Sequence, residues 1–138
     1  MAIGARMIQG FAISVSGLMA QSKRLAVSAD NVADMRSRGV DPDGPQQQPG
    51  AFQPKRVQDV TTSGGGVRGE VRPVSPASVE TYEPGSPDAD SEGLVNRPNV
   101  NLAEELVTQI QAQRAYEANA AAIRTQDEVT DTLLDIKS

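Results

Sequence analysis

The chain has 138 residues, 3% aromatic residues, a net charge of −5, and neither cysteine nor histidine. Its length is that of a single domain, and the missing residue types exclude disulfides, thiolate nucleophiles, zinc sites built from Cys and His, and imidazole acid–base chemistry. The acidic balance argues against a nucleic-acid partner. No spacing of the remaining reactive residues indicates an enzyme, a bound cofactor or a small-molecule substrate.

Residues 1–38 are predicted to form the first of two long helices. Their apolar positions alternate at intervals of three and four residues, which is the heptad pattern of a helix that packs against another helix. The members of this heptad stripe are Ile8, Phe11, Val15, Leu18, Ser22, Leu25, Ala29 and Val32. Gly10 and Gly17 lie beside the stripe and predict a close approach of another backbone. We expect the helix to end near residues 34–39, with Gly39 as a left-handed cap, because Pro42 prevents its continuation.

Residues 7–20 also resemble the apolar core of a signal peptide. Cleavage after Ala20 would require a small residue where the chain has Leu18, and the heptad stripe continues beyond Ala20. We therefore interpret this segment as a structural helix.

Residues 39–98 are predicted to form an extended, partly β middle region with little core. All nine prolines of the chain lie between Pro42 and Pro98. Short strands are expected within residues 51–60, 66–74 and 78–82, at sheet edges because of their prolines. Residues 41–50 are expected to form a loop, and the three glycines at 64–66 a tight turn or hinge.

A turn-rich segment follows the third expected strand. Its rigid part consists of Tyr82, Pro84, Gly85 and Pro87. This segment is either a contact surface for an adjacent subunit or an ordinary connection. The nearby carboxylates of Asp88, Asp90 and Glu92 lack the rest of a calcium loop, so an acidic turn in solvent is favoured over a metal site.

Residues 99–138 are predicted to form the second long helix, with Asn101 as its N-cap and Glu104 three residues later. Two partly apolar stripes run along it. One consists of Leu102, Leu106, Gln109, Gln113, Tyr116, Ala120, Ile123, Asp127, Thr130 and Leu134, and the other of Ala112, Ala115, Asn119, Ala122, Gln126, Val129, Leu133 and Ile136. Two stripes indicate partners on two sides, whereas the alternative is a loosely patterned surface helix.

Charge differs between the two ends of the chain. Residues 1–40 carry five basic and two acidic side chains, a net charge of +3, and residues 99–138 carry three basic and seven acidic side chains, a net charge of −4. The two helices are therefore expected to attract each other, or to attract copies of each other in neighbouring subunits.

Three segments together resemble the bacterial flagellar axial proteins, the family of rod, hook and hook-associated proteins. They are VSGLMAQSKRLAVSADNVAD at 15–34, YEPGSPDAD at 82–90 with the following GLV and PNV at 93–95 and 98–100, and EELVTQIQAQRAYEANAAAI at 104–123. The short middle region is similar to that of the proximal rod type. The chain departs from the family pattern at the end of the first helix, where Asp34 replaces a second Asn and MRSRG at 35–39 replaces the usual turn. In addition, residues 113–119 are closer in sequence to the distal rod and hook type. An axial protein of that type with a shortened middle therefore remains an alternative.

This resemblance implies a structural subunit of the flagellar basal-body rod that transmits torque. It implies a mainly α fold in which the terminal helices pair as an antiparallel coiled coil and line the export channel. The implied partners are copies of the chain and other rod proteins in a helical, periplasmic assembly, and the flagellar type III export apparatus, which exports such subunits without a cleaved signal peptide.

The residues assigned to subunit contacts or to the family motif are Leu18, Leu25, Asn31, Ala33, Tyr82, Pro84, Gly85, Pro87, Asp90, Gly93, Pro98, Asn99, Val100, Glu105, Arg114, Tyr116 and Asn119. A buried Asn119 or Asn31 would fix the register of a coiled coil, whereas Asn31 alternatively bonds to backbone at a helix end. A stand-alone coiled-coil adaptor or secreted protein, unrelated to the flagellum, is the alternative function.

Overall fold

The computed structural model describes residues 2–44 and 48–137 as two long helices separated by short strands. In chain order the elements are α1 (Ala2–Asp34), β1 (Arg38–Gly39), β2 (Ala51–Phe52), β3 (Lys55–Thr61), β4 (Val67–Pro73), β5 (Ser78–Tyr82), β6 (Leu94–Pro98) and α2 (Leu102–Lys137). The predicted mainly helical fold with a partly β middle is confirmed. Residues 45–47 of the expected loop lie outside the described residues. Within the described residues, no helix is both long and apolar enough to cross a membrane.

The strands form three separate two-stranded sheets. β1 and β2 pair in parallel, β3 and β4 form an antiparallel hairpin, and β5 and β6 pair antiparallel with Ser78 opposite Pro98 and Tyr82 opposite Leu94. No described strand lies between two others, so Pro73 and Pro98 are tolerated at strand ends. The sequence did not predict β6, since this strand depends on its pairing with β5 across a connection of eleven residues.

α1 and α2 lie side by side along most of their length. A Cβ added at Gly10 would lie 2.6 Å from Gln126 Nε2, one at Gly17 would lie 2.8 Å from Asn119 Oδ1, and Ser28 Oγ donates a hydrogen bond to the Glu105 carbonyl at 3.2 Å. Contact positions therefore descend along α2 as they ascend along α1. Both glycines lie on the interhelical seam and not beside it, and the atoms of α2 that approach them belong to the side chains of Gln126 and Asn119 and not to the predicted backbone.

The predicted phase of the α1 seam is wrong by one residue. The positions that face α2 are small or polar, and they include the buried Ser14, Gly17, Ser28 and Asn31. The heptad stripe falls one position later and is largely in solvent: Ile8 is 73% exposed, Phe11 50% and Leu25 42%. Small side chains allow the two backbones to approach, so the larger apolar side chains turn to an adjacent face of α1.

The β3–β4 hairpin lies against another side of α1 and is held there mainly by polar contacts. Ser16 Oγ accepts a hydrogen bond from the Val67 backbone N–H at 3.1 Å, Lys23 Nζ donates to the Gly69 carbonyl at 3.1 Å, and Arg24 pairs with Asp59 at 2.7 Å. Arg24 thus pairs with the hairpin, and among the described residues no ion pair joins α1 to α2.

The predicted cap of α2 forms, whereas the predicted cap of α1 does not. Asn101 is the predicted N-cap of α2: its Oδ1 accepts hydrogen bonds from the N–H groups of Ala103 at 3.0 Å and Glu104 at 3.4 Å. Gly39 is not a left-handed cap of α1, and that prediction is wrong. It lies in β1, where a Cβ would come within 2.6 Å of the Arg97 carbonyl carbon, so the close passage of β6 excludes a side chain there.

The predicted turn at residues 64–66 is confirmed and gives a test of the hairpin. Gly65 has a φ of +84° and donates its N–H to the Thr62 carbonyl at 3.0 Å. Gly65→Ala should lower the free energy of unfolding by about 1–2 kcal/mol, the cost of a left-handed L-residue, in urea titrations followed by circular dichroism. Gly64→Ala is the matched control, because a Cβ there meets nothing within 4 Å. Equal effects of the two substitutions would contradict this account of the turn.

Candidate subunit-contact surfaces

Large apolar side chains are mostly at the surface of this chain. Among the described residues, the buried hydrophobic positions are only Ala20, Val95 and Ala112. The exposed positions on the helices include Ile8, Phe11, Met19, Leu25, Leu102, Leu106, Val107, Ile110, Tyr116, Val129, Leu133 and Ile136. Burial of apolar area is worth about 25 cal/mol per Å², and continuous exposed apolar area marks an interaction surface. The isolated chain leaves this stabilisation unused.

One of these surfaces is a groove between the helices, lined on the α1 side by the heptad stripe. Near the start of α1 it contains a cavity of about 330 Å³ formed by Ile8 and Phe11 against Ile123 and Gln126. Further along, Leu18 and Met19 form a second cleft with Tyr116. We call this surface the groove. Two of the predicted contact residues, Leu18 and Tyr116, lie in the groove. A third, Leu25, belongs to the same heptad stripe of α1.

A second surface lies near the C-terminal end of α2. Val129, Leu133 and Ile136 follow one another at intervals of four and three residues, which places them on one side of the helix. They are 48%, 44% and 77% exposed. We call these three residues the C-terminal ridge. The two surfaces border each other, because Met7 and Gln126 line both the groove cavity and a cleft that includes Val129.

A buried polar cluster joins α1, β3 and α2. The side-chain amide of Asn31, 2% exposed, accepts a hydrogen bond from the Lys55 N–H at 3.0 Å and donates to the Lys55 carbonyl at 2.6 Å and to Glu105 Oε1 at 2.7 Å. Ser28, also 2% exposed, accepts from Gln109 Nε2 at 3.3 Å in addition to its bond to Glu105. The Asn31 side chain thus makes with the Lys55 backbone the two hydrogen bonds that a neighbouring strand would make. Its third hydrogen bond, to Glu105, connects Asn31 to α2.

Asn119 contributes to the seam in a different way. Its Nδ2 donates to the Ala115 carbonyl at 2.8 Å within α2, and its side chain fills the space beside Gly17. This hydrogen bond lies within α2, so Asn119 contacts α1 through packing and not through hydrogen bonding. Gln126 repeats the arrangement beside Gly10, and its Oε1 is buried without a hydrogen-bond partner among the described residues.

A second polar cluster, which the sequence did not predict, fastens the end of α1 to β6. Arg97 Nη1 donates to the carbonyls of Arg36 at 2.8 Å and Ser37 at 3.3 Å. Its Nε and Nη2 both donate to the Glu83 carboxylate. The hydrogen bond from Arg97 lowers the pKa of Glu83, and the same bond raises the pKa of Arg97. The only sequence signal for this cluster was the position of Arg97 between motif residues.

The turn between β5 and β6 uses its acidic residues for backbone bonding. Asp90 Oδ1 accepts from the N–H groups of Glu92 at 2.8 Å and Leu94 at 2.9 Å. No group of three metal-ligating side chains is present among the described residues. Tyr82 is 69% exposed at one end of this turn, and Gly93 at the other end has a φ of +79°.

The remaining predicted residues divide between exposed and structural positions. Ala33, Pro84, Gly85, Pro87 and Arg114 are exposed. Pro98 is buried, Val100 is half-buried, and Asn99 bonds to the segment before β5 through its N–H to the Ala77 carbonyl at 2.9 Å and its Nδ2 to the Pro76 carbonyl at 3.0 Å. The structure therefore does not bring the predicted residues together at one site.

Known proteins resemble this chain along most of its length. Residues 91–136, which contain β6 and all but the last residue of α2, match the family described as flagellar basal body rod FlgEFG protein C-terminal. Flagellar basal-body rod protein FlgC of Salmonella typhimurium is 37% identical over 116 residues, covering 83% of this chain and 86% of the relative. FlgC of Agrobacterium fabrum is 37% identical over 131 residues, covering 88% of each chain, and FlgC of Borreliella burgdorferi is 30% identical over 142 residues, covering 90% and 93%.

The chain belongs to the FlgC family of flagellar basal-body rod proteins. The resemblance inferred from the sequence, including the proximal rod type, is thereby confirmed. FlgC-family proteins are structural components of the rod and not enzymes.

The displaced seam of this FlgC-family chain can be tested with two serines of α1. Ser28→Ala should lower the free energy of unfolding by about 1 kcal/mol, because it removes the hydrogen bonds of the buried Ser28 hydroxyl with the Glu105 carbonyl and with Gln109 Nε2. Ser22→Ala, at an exposed position of the heptad stripe, should change it by less than about 0.5 kcal/mol. Urea unfolding followed by circular dichroism measures both. A larger effect at Ser22 would restore the phase predicted from the sequence.

The Arg97–Glu83 pair should make stability depend on pH. Because the pKa of Glu83 is lowered in the folded chain, its contribution is fully present above the ordinary glutamate pKa and is lost as pH falls through the lowered value. The difference in urea midpoint between the natural chain and Glu83→Gln should therefore be largest near pH 7 and shrink below about pH 4. Glu80→Gln, at an exposed position of β5, is the control. A difference that does not change with pH would contradict this role.

Proposed function

We propose that this chain is a structural subunit of the proximal flagellar rod, and that it transmits torque as part of a helical assembly. The observation that carries this proposal is the FlgC relationship, which extends over 83–90% of the chain. The exposed apolar faces of both helices support it, because a rod subunit must bury such faces against neighbours. Motility and a location in the basal body follow from membership of the rod.

The terminal segments 1–38 and 99–138 form the assembly domain in this proposal, and residues 39–98 form a separate middle region. The terminal helices pair as an antiparallel coiled coil that lines the export channel. Support comes from the descending order of contacts between α1 and α2. The Asn31 and Arg97 clusters tie the middle region to the helices, so a torque on one part is passed to the other.

Copies of the chain and other rod proteins are the proposed partners. The exposed motif residues at the β5–β6 turn, Tyr82, Pro84, Gly85 and Pro87, and the helical residues Leu18, Leu25, Ala33, Arg114 and Tyr116 are proposed to contact them. Asn31, Asp90, Gly93, Pro98, Asn99, Val100, Glu105 and Asn119 are proposed to shape those contacts from within the subunit. The flagellar type III apparatus is the proposed export route, with no cleaved signal peptide.

The proposal is tested by deleting the gene in its own organism and restoring it with variants. Deletion should abolish swimming and leave purified basal bodies without a complete rod, and the natural chain should restore both. Phe11→Asp should fail to restore them, because it places a charge on an apolar face that must be buried between subunits. Ala121→Asp, which adds the same charge to an exposed position of α2, should restore swimming.

Two results would reject this function. One is a set of normal, motile basal bodies in the deletion strain, and the other is the absence of the restored chain from purified basal bodies. Equal activity of Phe11→Asp and Ala121→Asp would instead reject the assignment of the α1 stripe to subunit contacts. Circular dichroism of both variants verifies that each retains its helices.

A further inference from the structure

We propose that the β3–β4 hairpin carries a docking surface for an acidic segment of a protein other than this chain. Arg56 and Arg72 bind the carboxylates of that segment. The contacts proposed above between copies use the helices and the β5–β6 turn, and they include no residue of this hairpin. The docking surface is therefore an addition to the proposed function.

The hairpin has one face toward α1 and one away from it. A Cβ added at Gly69 would lie 3.6 Å from the Cα of Ala20 and 3.6 Å from the Cδ of Lys23, so the side of β4 on which Gly69 lies packs on α1. Successive residues of a strand point to opposite faces, and residues directly opposite each other on paired strands share a face. The face away from α1 therefore consists of Arg56, Gln58 and Val60 from β3 and Arg68, Glu70 and Arg72 from β4. We call these six residues the arginine face.

The arginine face is positive although the chain as a whole is acidic. Its three arginines and one glutamate give a net charge of +2, whereas the net charge of the chain is −5. The side chains of Arg68 and Arg72 are 67% and 56% exposed, and Arg56 is exposed as well. Complementary charge selects the partners of a surface, so this face selects an acidic one.

Glu70 shows that this face binds a carboxylate. Arg68 Nη2 donates to Glu70 Oε1 at 2.8 Å, and Arg72 Nη2 donates to Glu70 Oε2 at 3.1 Å. The hydrogen bond from Arg68 lowers the pKa of Glu70, and the charges of both arginines act in the same direction. One carboxylate is thus held between two arginines, in agreement with the strong hydrogen bonds that guanidinium groups form with carboxylates.

Arg56 has no carboxylate of this kind. It lies directly opposite Arg72 in the hairpin, and Gln58 lies opposite Glu70. Among the described residues Arg56 takes part in no ion pair. Like charges in directly opposite positions destabilise a sheet. A carboxylate from outside the chain that binds between Arg56 and Arg72 removes this repulsion and extends the alternation of arginine and carboxylate along the face.

Most carboxylates of a second copy are already in use, which favours a different protein as the occupant. Seven of the eighteen acidic residues of the chain lie in residues 99–138, which the proposed function places in the assembly domain. Asp59, Glu70 and Glu83 are paired with arginines of their own chain, and Asp90 accepts from backbone N–H groups. An acidic segment of another protein has no such competing contacts.

Stability and docking should respond in opposite ways to Arg56→Glu. The substitution places a carboxylate opposite Arg72 in place of a like charge, so the urea midpoint of the purified chain, followed by circular dichroism, should rise. Docking should weaken, because one of the two carboxylate-binding positions becomes negative. A residue with a purely structural role would not separate these two measurements.

A photo-cross-linker on the arginine face identifies the partner. Gln58, which is exposed, is replaced by p-benzoylphenylalanine, and the chain is expressed in the deletion strain. Cells are irradiated before lysis, and the cross-linked product is analysed by mass spectrometry. The product should join position 58 to a segment of a second protein that contains Asp or Glu. Arg56→Glu should lower its yield roughly tenfold, whereas Ala121→Asp should leave the yield unchanged.

Replacement of the partner's cross-linked carboxylate by Lys should restore the yield in the Arg56→Glu chain. The docking surface would be overturned by a product with a second copy alone, by a product with phospholipid alone, or by no product from a chain that restores swimming. A fall of the urea midpoint together with the yield would make Arg56 a structural residue and overturn its role. In each of these cases the natural chain would still restore swimming, so the proposed function would stand.

Discussion

The close approach of α1 and α2 is the constraint on which the rest of this structure depends. Gly10 and Gly17 leave room for the side chains of Gln126 and Asn119, and Ser28 bonds directly to the α2 backbone. A seam of small residues gains stability from contact and hydrogen bonding more than from apolar burial. The large apolar side chains of α1 are therefore left for another surface. An ordinary leucine seam would have buried them within the chain and removed the groove.

Two polar clusters determine how the middle region follows the helix pair. Asn31 takes the place of a neighbouring strand for Lys55 and is held by Glu105 from α2. Arg97 binds the carbonyls just after α1 and is itself held by Glu83. Both clusters connect segments that are far apart in sequence and close to the ends of helices. The position of the middle region is therefore fixed at the junctions, although its sheets have only two strands each.

The sequence predicted the features that local chemistry controls. Heptad spacing located both helices, Asn101 was identified as a cap because its side chain bonds to the adjacent turn, and three successive glycines indicated the hairpin turn. The phase of the α1 seam was predicted wrongly, because an apolar stripe shows which face avoids water and not whether the partner belongs to the same chain. The role of Gly39 was missed for a similar reason: a close passage of β6 is not visible from the residues near Gly39.

The attachment of the β3–β4 hairpin has a consequence for how the molecule opens. Its contacts with α1 are hydrogen bonds and one ion pair from Ser16, Lys23, Arg24 and Asn31, together with the small buried side chain of Ala20 near Gly69. Segments with few buried apolar contacts open at a lower free energy than the elements to which they are attached. We therefore expect the hairpin to open at a lower free energy than the helix pair to which it is attached.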